Sequence, residues 1–313
     1  MMLPPEALYA ALVPLPTPEV VDDDGGPPGP VLIIALDGFV DGGAGVRLLR
    51  EHVLATCDAE RIIAFDADLL VDYRSRRPAM TFSDRAFTEY AAPELAIWRL
   101  RDQAGVPFLL LAGPEPDLFW ERFITAVLGV SRSLRVRLSV GVTAVPWAAP
   151  HTRPVGVIAH SPQAERVAGY DSMGATVQVP GHMTALLEYR LGLAEAPAIG
   201  FAAQVPHYLA HLAYPEVALR LLDAVSGATG LSLPIGELTV AAEAVRADVD
   251  AQVEGAPESQ AMVAALEAQF DAVLRARSGE GSGDDESALP SADDIAAQFE
   301  RFLAERDRGR DQG

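Results

Sequence analysis

No lysine occurs among the 313 residues; all 24 Lys and Arg positions are arginine. That absence excludes a Schiff-base lysine, a phosphate-cradling lysine and every modification of a lysine amine. Cysteine is nearly absent too. Cys57 alone cannot close an internal disulfide, and its place near the end of a helical pattern reads as an inert, partly buried thiol. There is no CxxC pair and no GxGxxG fingerprint. Gly169-Tyr170-Asp171-Ser172-Met173-Gly174 misses the G-x-S-x-G spacing of a nucleophile elbow, and no internal repeat of about 20–50 residues is visible. No apolar run reaches about 18 residues, and no basic stretch precedes an apolar one at the N-terminus, so a soluble, cytoplasmic chain is expected. A formal net charge of −20 argues against nucleic acid or an anionic membrane as a partner.

Half of the residues are apolar, enough for a sizeable core. The apolar run Val31–Leu36 enters the turn Asp37-Gly38-Phe39-Val40-Asp41-Gly42-Gly43-Ala44-Gly45, and a helical pattern to about Thr56 follows. Gly38 and Gly43 have P-loop spacing, but Ala44 and Gly45 stand where that loop needs lysine and a hydroxyl residue. The P-loop reading fails. Further strands are expected at Arg61–Phe65, Phe108–Ala112, Arg135–Val145, Val155–Ala159 and Ala198–Val205. Helices are expected from about Pro116 to Leu128, over Met183–Leu191 and over Tyr208–Val225. Strands alternating with helices predict an α/β fold, a mainly parallel sheet covered on both faces.

The expected organisation is an irregular Pro/Asp/Gly-rich lead-in over 1–30, an α/β core over 31–232 and a helical pair over 233–277. A flexible acidic linker over 278–290 then leads to a short amphipathic helix over 291–306. Ile295, Phe299, Phe302 and Leu303 form one apolar stripe on that last helix. A stripe so short needs a surface to dock on, which makes it a candidate partner-docking element.

Candidate ligand or interface loops gather where strands end, the edge at which open α/β sheets bind ligands. The first loop carries Asp37, Gly38, Asp41, Gly42 and Gly43, either as an anion cradle at a helix start or as a close-packed turn. The second carries Asp66, Asp68, Asp72, Tyr73, Arg74, Arg76 and Arg77, either a clamp for a polar substrate or a self-satisfied ion network. Gly113 and Glu115 follow another strand, and His151 and Arg153 lie in a further loop. His151 and His160 are each either a general base or a turn-stabilising side chain. His207 and His211, four apart on the expected helix, have no evident third ligand, so no metal site and no cofactor are assigned.

Six segments follow one another along the chain: ALDGFVDGGAG, FDADLLVDYRSRRP, PFLLLAGPEPDLFWERF, AVPWAAPHTRP, QVPGHMTALLEYRLG and GFAAQVPHYLAHLAYPEVALRLL. In this order they strongly resemble the actinobacterial branch of the proteasome assembly chaperone family, from about Val31 to Asp250. The resemblance implies a core of the purine-nucleoside-phosphorylase type, homo-oligomers, and a non-enzymatic binding or assembly role with a protein partner, proteasome-related or other. Relatives elsewhere dock through a C-terminal hydrophobic-Tyr-any tripeptide, and Arg308-Gly309-Arg310-Asp311-Gln312-Gly313 has none. The competing expectation is a small-molecule enzyme, a nucleoside-like hydrolase or phosphorylase-type transferase. Its arginines Arg74, Arg76, Arg77 and Arg153 would bind an anion, and Asp41, Asp68 or His151 would move protons.

Overall fold

A computed structural model describes residues 4–14, 29–170 and 176–277. The linker 278–290 and the amphipathic stripe Ile295, Phe299, Phe302 and Leu303 lie outside those residues. In chain order the elements begin with β1 (Tyr9–Ala11), β2 (Val31–Asp37), α1 (Gly45–Thr56), β3 (Asp58–Phe65) and α2 (Ala67–Leu70). Next come β4 (Met80–Ser83), β5 (Ala86–Tyr90), β6 (Ala96–Arg101), β7 (Pro107–Pro114), α3 (Trp120–Ser133) and β8 (Leu138–Trp147). The remainder is β9 (Val157–His160), α4 (Met183–Leu193), β10 (Ala198–Pro206), α5 (Pro215–Thr229), α6 (Gly236–Glu254) and α7 (Pro257–Arg277).

The apolar run of β2 is continuous because both of its faces are covered. Val31, Ile33 and Ala35 pack with Val46, Leu49 and Val53 of α1 and with Val217, Leu221 and Leu222 of α5. Leu32, Ile34 and Leu36 face the other way, onto Phe123, Ile124 and Val127 of α3 and Met183 and Leu187 of α4. Each of the larger side chains, Val, Leu, Ile, Phe or Met, contributes about 1.5–3 kcal/mol on burial. Around β2 an eight-stranded sheet runs in the order β1-β3-β6-β7-β2-β8-β10-β9. The central strands β7, β2, β8 and β10 are mutually parallel. Antiparallel pairing at β6, β3, β1 and β9 leaves β2, β3, β7, β8 and β10 running one way and β1, β6 and β9 the other. The sheet is mainly parallel and flanked by helices, as the alternating pattern predicts.

Three details differ from the sequence reading. Part of the proline-rich lead-in is ordered: Leu8 is fully buried, and Tyr9 pairs opposite Phe65 with their rings 5.8 Å apart. Burial of those two apolar residues outweighs the local breaker signal. The helix expected over Tyr208–Val225 starts at Pro215, which has no N–H to give and suits a first turn. His207 therefore sits in a separate 3₁₀ turn, His207–Leu209, and does not share a helix with His211. Finally, β4, β5 and β6 had no counterpart in the expected pattern. No described helix is long and apolar enough to cross a membrane.

Candidate functional site

The glycine-rich turn after β2 is tied to its own chain. Asp41 accepts from the backbone N–H groups of Val46 (2.7 Å) and Arg47 (3.1 Å), the donors that an anion would otherwise take at the start of α1. Burial raises the Asp41 pKa, and those two hydrogen bonds oppose the rise. Gly43 has φ of 66°, and a Cβ there would stand 3.2 Å from Tyr214; one on Gly42 would stand 3.2 Å from Val205. The Gly43 N–H donates to the Ala210 carbonyl, and its own carbonyl accepts from the Tyr214 N–H, both at 2.8 Å. These glycines bring α1 against α5. Asp37, at the end of β2, is ion-paired to Arg50 at 2.5 Å.

Three loops meet around Arg76. Its guanidinium donates to the Glu115 carbonyl and to the Asp117 carboxylate, and reaches the Asp37 carbonyl at 3.5 Å. Asp117 also accepts from the Asp72 N–H at 2.7 Å, fixing the Arg76 loop to the end of β7. Asp66 caps α2 by accepting from the N–H groups of Asp68 and Leu69. Tyr73 donates to Asp68 at 2.6 Å, and that bond foremost holds the phenol above its ordinary range. Asp72 accepts from the Arg74 N–H at 2.9 Å, while Arg74 and Arg77 are exposed. Glu115 is only 7 % exposed, and its Oε1 accepts from the Met183 N–H at the start of α4 at 2.5 Å. Its pKa is raised, with burial the main cause. Gly38 lies 3.6 Å from Glu115 Oε2 measured from where its Cβ would be.

His151 and Arg153 belong to a second group. The His151 ring is 2 % exposed and bridges the Tyr208 hydroxyl (Nδ1, 2.7 Å) and Asp250 of α6 (Nε2, 2.9 Å). Burial, with Glu267 and Asp250 nearby, pushes the Tyr208 phenol up to about 12. Arg153 donates in a fork to Asp271 of α7 (2.9 and 2.8 Å) and to Glu267 (3.2 Å). The fork holds the Asp271 carboxyl below its usual range. His160 pairs with Glu188 of α4 at 2.9 Å. The structure thus brings Asp37, Gly38, Asp72, Arg76, Gly113 and Glu115 together, and commits His151 and Arg153 to the helices α6 and α7. No cluster of three or more metal-ligating side chains occurs among the described residues. Asp117 and Arg50, both central to the first group, were not singled out by the sequence; Asp117 meets Arg76 across 41 residues, and Arg50 reaches back from α1 to Asp37.

The other unforeseen feature is a two-stranded ribbon, β4 paired with β5. Every residue of both strands is exposed. Met80 pairs opposite Tyr90, and Phe82 opposite Phe87, so all four share one face. A register shift between Thr81 and Phe82 makes this possible, since Phe87 and Tyr90 would otherwise point to opposite faces. The other face carries Thr81 bonded to Glu89 at 3.0 Å. Phe82 is 59 % exposed and Phe87 66 %, their rings stacked edge-on at 5.1 Å.

With this geometry in view, comparison with known proteins gives a consistent result. The model of the PAC2 family matches residues 35–253. No curated protein matches the chain. A Mycobacterium tuberculosis protein of unknown function is 43% identical, with a TM-score of 0.84, over 95% of this chain and 96% of its own. A Corynebacterium glutamicum protein of unknown function is 35% identical, with a TM-score of 0.79, over 85% of this chain and 98% of its own. A Mycobacterium tuberculosis proteasome-assembly chaperone homologue is 26% identical, with a TM-score of 0.68, over 74% of this chain and 99% of its own.

Proposed function

The chain belongs to the PAC2 family, and on that premise we propose that it is a non-enzymatic binding protein that assembles with its own copies and engages proteasome-type subunits. One observation carries the reading: an exposed ribbon with a largely apolar face, Met80, Phe82, Phe87 and Tyr90. A two-stranded ribbon is marginal in water, and an apolar face on it needs a cover. Each of these side chains, once fully covered, contributes about 1.5–3 kcal/mol. The carboxyl edge of the sheet points the same way. Asp41, Arg76 and Glu115 spend their hydrogen bonds inside the chain, which suits a rigid scaffold better than a site that must grip and release a substrate. A proteasome-assembly chaperone homologue among the similar structures supplies the partner class.

Sedimentation velocity on the full chain at micromolar concentration, with and without purified proteasome α-subunits, tests this. The expected result is a self-associated species that co-sediments with α-subunits, and its loss in a Phe82→Ser, Phe87→Ser variant. A wild-type chain that stays monomeric and ignores α-subunits removes the proposal.

A further inference from the structure

The stripe Ile295, Phe299, Phe302 and Leu303 is expected on a helix too short to hold in water without a surface beneath it. Residues 278–290 tether it to the end of α7 and, fully extended, span at most about 45 Å, roughly the width of a domain of this size. A tether of that length holds the stripe at about millimolar concentration around its own chain. A receiving surface on the same chain is therefore favoured over an equal one elsewhere.

The ribbon apart, the exposed large apolar residues fall into two groups and four single positions. Leu12, Val179, Leu212 and Leu274 have no second such residue on their own element. Ile235 and Val240 form one group, at the start of α6 and on it, where exposed Glu237, Glu243 and Asp248 outnumber Arg246. The second group belongs to α3 and α4. Leu118 and Phe119 precede α3, Tyr189 and Leu193 lie four apart on α4, and the Arg190–Glu121 ion pair at 2.7 Å ties the two helices beside them.

Phe119 has φ of 57° and ψ of 34°, the left-handed region that a bulky side chain avoids, at a cost of about 1–3 kcal/mol. It is exposed all the same, with the Arg122 guanidinium 4.8 Å from its ring centre. Strain kept to present an exposed aromatic points to an occupant. Arg190 is matched by Glu121, whereas no carboxylate among the described residues pairs with Arg122, so the group is cationic at its Phe119 end. Residues 278–306 hold eight carboxylates against Arg301 and Arg306. The α6 group therefore repels this segment, and the α3–α4 group attracts it.

We propose that the stripe Ile295, Phe299, Phe302 and Leu303 docks on the α3–α4 face of its own chain, with the acidic residues around it toward Arg122. This contact is independent of any association through the ribbon, whose face it leaves free. Its consequence is a built-in occupant: a partner that uses the α3–α4 face must displace the tail.

Trypsin tests the contact, because in a chain without lysine it cuts only after arginine, and Arg301 lies within the stripe. Cleavage after Arg301 is followed by mass spectrometry on the full chain at nanomolar and at micromolar concentration, and the wild type is expected to be protected equally at both. Phe299→Ser with Phe302→Ser frees the tail. Tyr189→Ser with Leu193→Ser removes the receiving face at side chains 58 % and 62 % exposed, outside the core. Each double variant is expected to speed that cut by about tenfold or more. Arg122→Glu is a second receiving-face variant, expected to speed it severalfold; circular dichroism checks each fold. Phe82→Ser with Phe87→Ser is expected to leave the rate unchanged. A wild-type tail cut as fast as the freed one overturns the proposal. Protection that survives both receiving-face variants, or that is lost in the ribbon variant, puts the tail on another surface and overturns it too. Protection seen only at micromolar concentration assigns the tail to a second copy and overturns docking on its own chain.

Discussion

The carboxyl edge of the sheet and the β4–β5 ribbon lie within a few residues of each other in the chain and follow opposite rules. At the edge, polar groups are numerous and find partners inside the molecule: Asp41 on α1, Glu115 on α4, Arg76 across three loops. On the ribbon, large apolar groups stand exposed, and Phe82 and Phe87 pack edge-on against each other. A satisfied polar cluster fixes geometry, since any displacement leaves a buried donor or acceptor unpaired. An uncovered apolar face does the reverse; its free energy is gained only when something arrives. The first region is therefore expected to respond to mutation in stability, and the second in association.

The strongest way to break the first half of that contrast is Gly113→Ala. Gly113 has φ of 131°, and a Cβ there would lie 2.1 Å from the Glu94 carbonyl oxygen and 2.7 Å from the Leu95 Cα. Neither neighbour is a flexible side-chain end, so backbone strain and overpacking add. A loss of about 3–5 kcal/mol is expected in urea unfolding. A loss below about 1 kcal/mol would show that the edge is pliable and the contrast overstated.

Much of this fold was legible because central parallel strands leave a plain signature. Val31–Leu36 and Phe108–Ala112 read as strands since both faces of each are buried, and every position is apolar. The periphery carried less signal. β3 opens with Asp58, Ala59 and Glu60, two of them charged, whose strand character comes from pairing with β6 rather than from composition. The ribbon escaped notice because its register shift breaks strict alternation, and Asp84 turns it with φ of 54°. In the candidate site, residue types were readable and pairings were not. Asp66 caps the helix that follows it through an N–H two residues on, but His151 finds Asp250 and Arg153 finds Asp271 about a hundred residues on. Such partners follow from packing, which a single sequence does not display. The helix pair that receives them was expected; its acidic role as a clasp for that loop was not.

Glu115 sharpens the contrast through pH. Its folded pKa is raised, chiefly by burial, so between the unfolded and folded values the native state holds more protons than the unfolded chain. Stability from this group therefore increases as pH falls from neutral through the folded pKa, the reverse of an ion-paired carboxylate. Glu115→Gln keeps an acceptor for the Met183 N–H and removes the titration. Unfolding free energies at pH 7 and pH 5 are expected to show the wild type gaining on the variant toward acid. A difference of the opposite sign would mean that Arg76, not burial, governs the carboxyl.

The smallest expected effect is the most informative about the ribbon. Phe82→Ser and Phe87→Ser change two large apolar side chains, a substitution that costs about 3–5 kcal/mol at a core phenylalanine such as the fully buried Phe123. On the ribbon the same chemical change is expected to move monomer stability by no more than about 0.5 kcal/mol, because little apolar contact is present to lose. Thermal unfolding at a concentration low enough to dissociate any assembly isolates this intrinsic term. Repeating the scan at high concentration restores the linkage to association, and there the wild type is expected to melt higher while the variant does not move. A large loss at low concentration would mean that the ribbon is packed against its own chain, and its apolar face would then need no second copy.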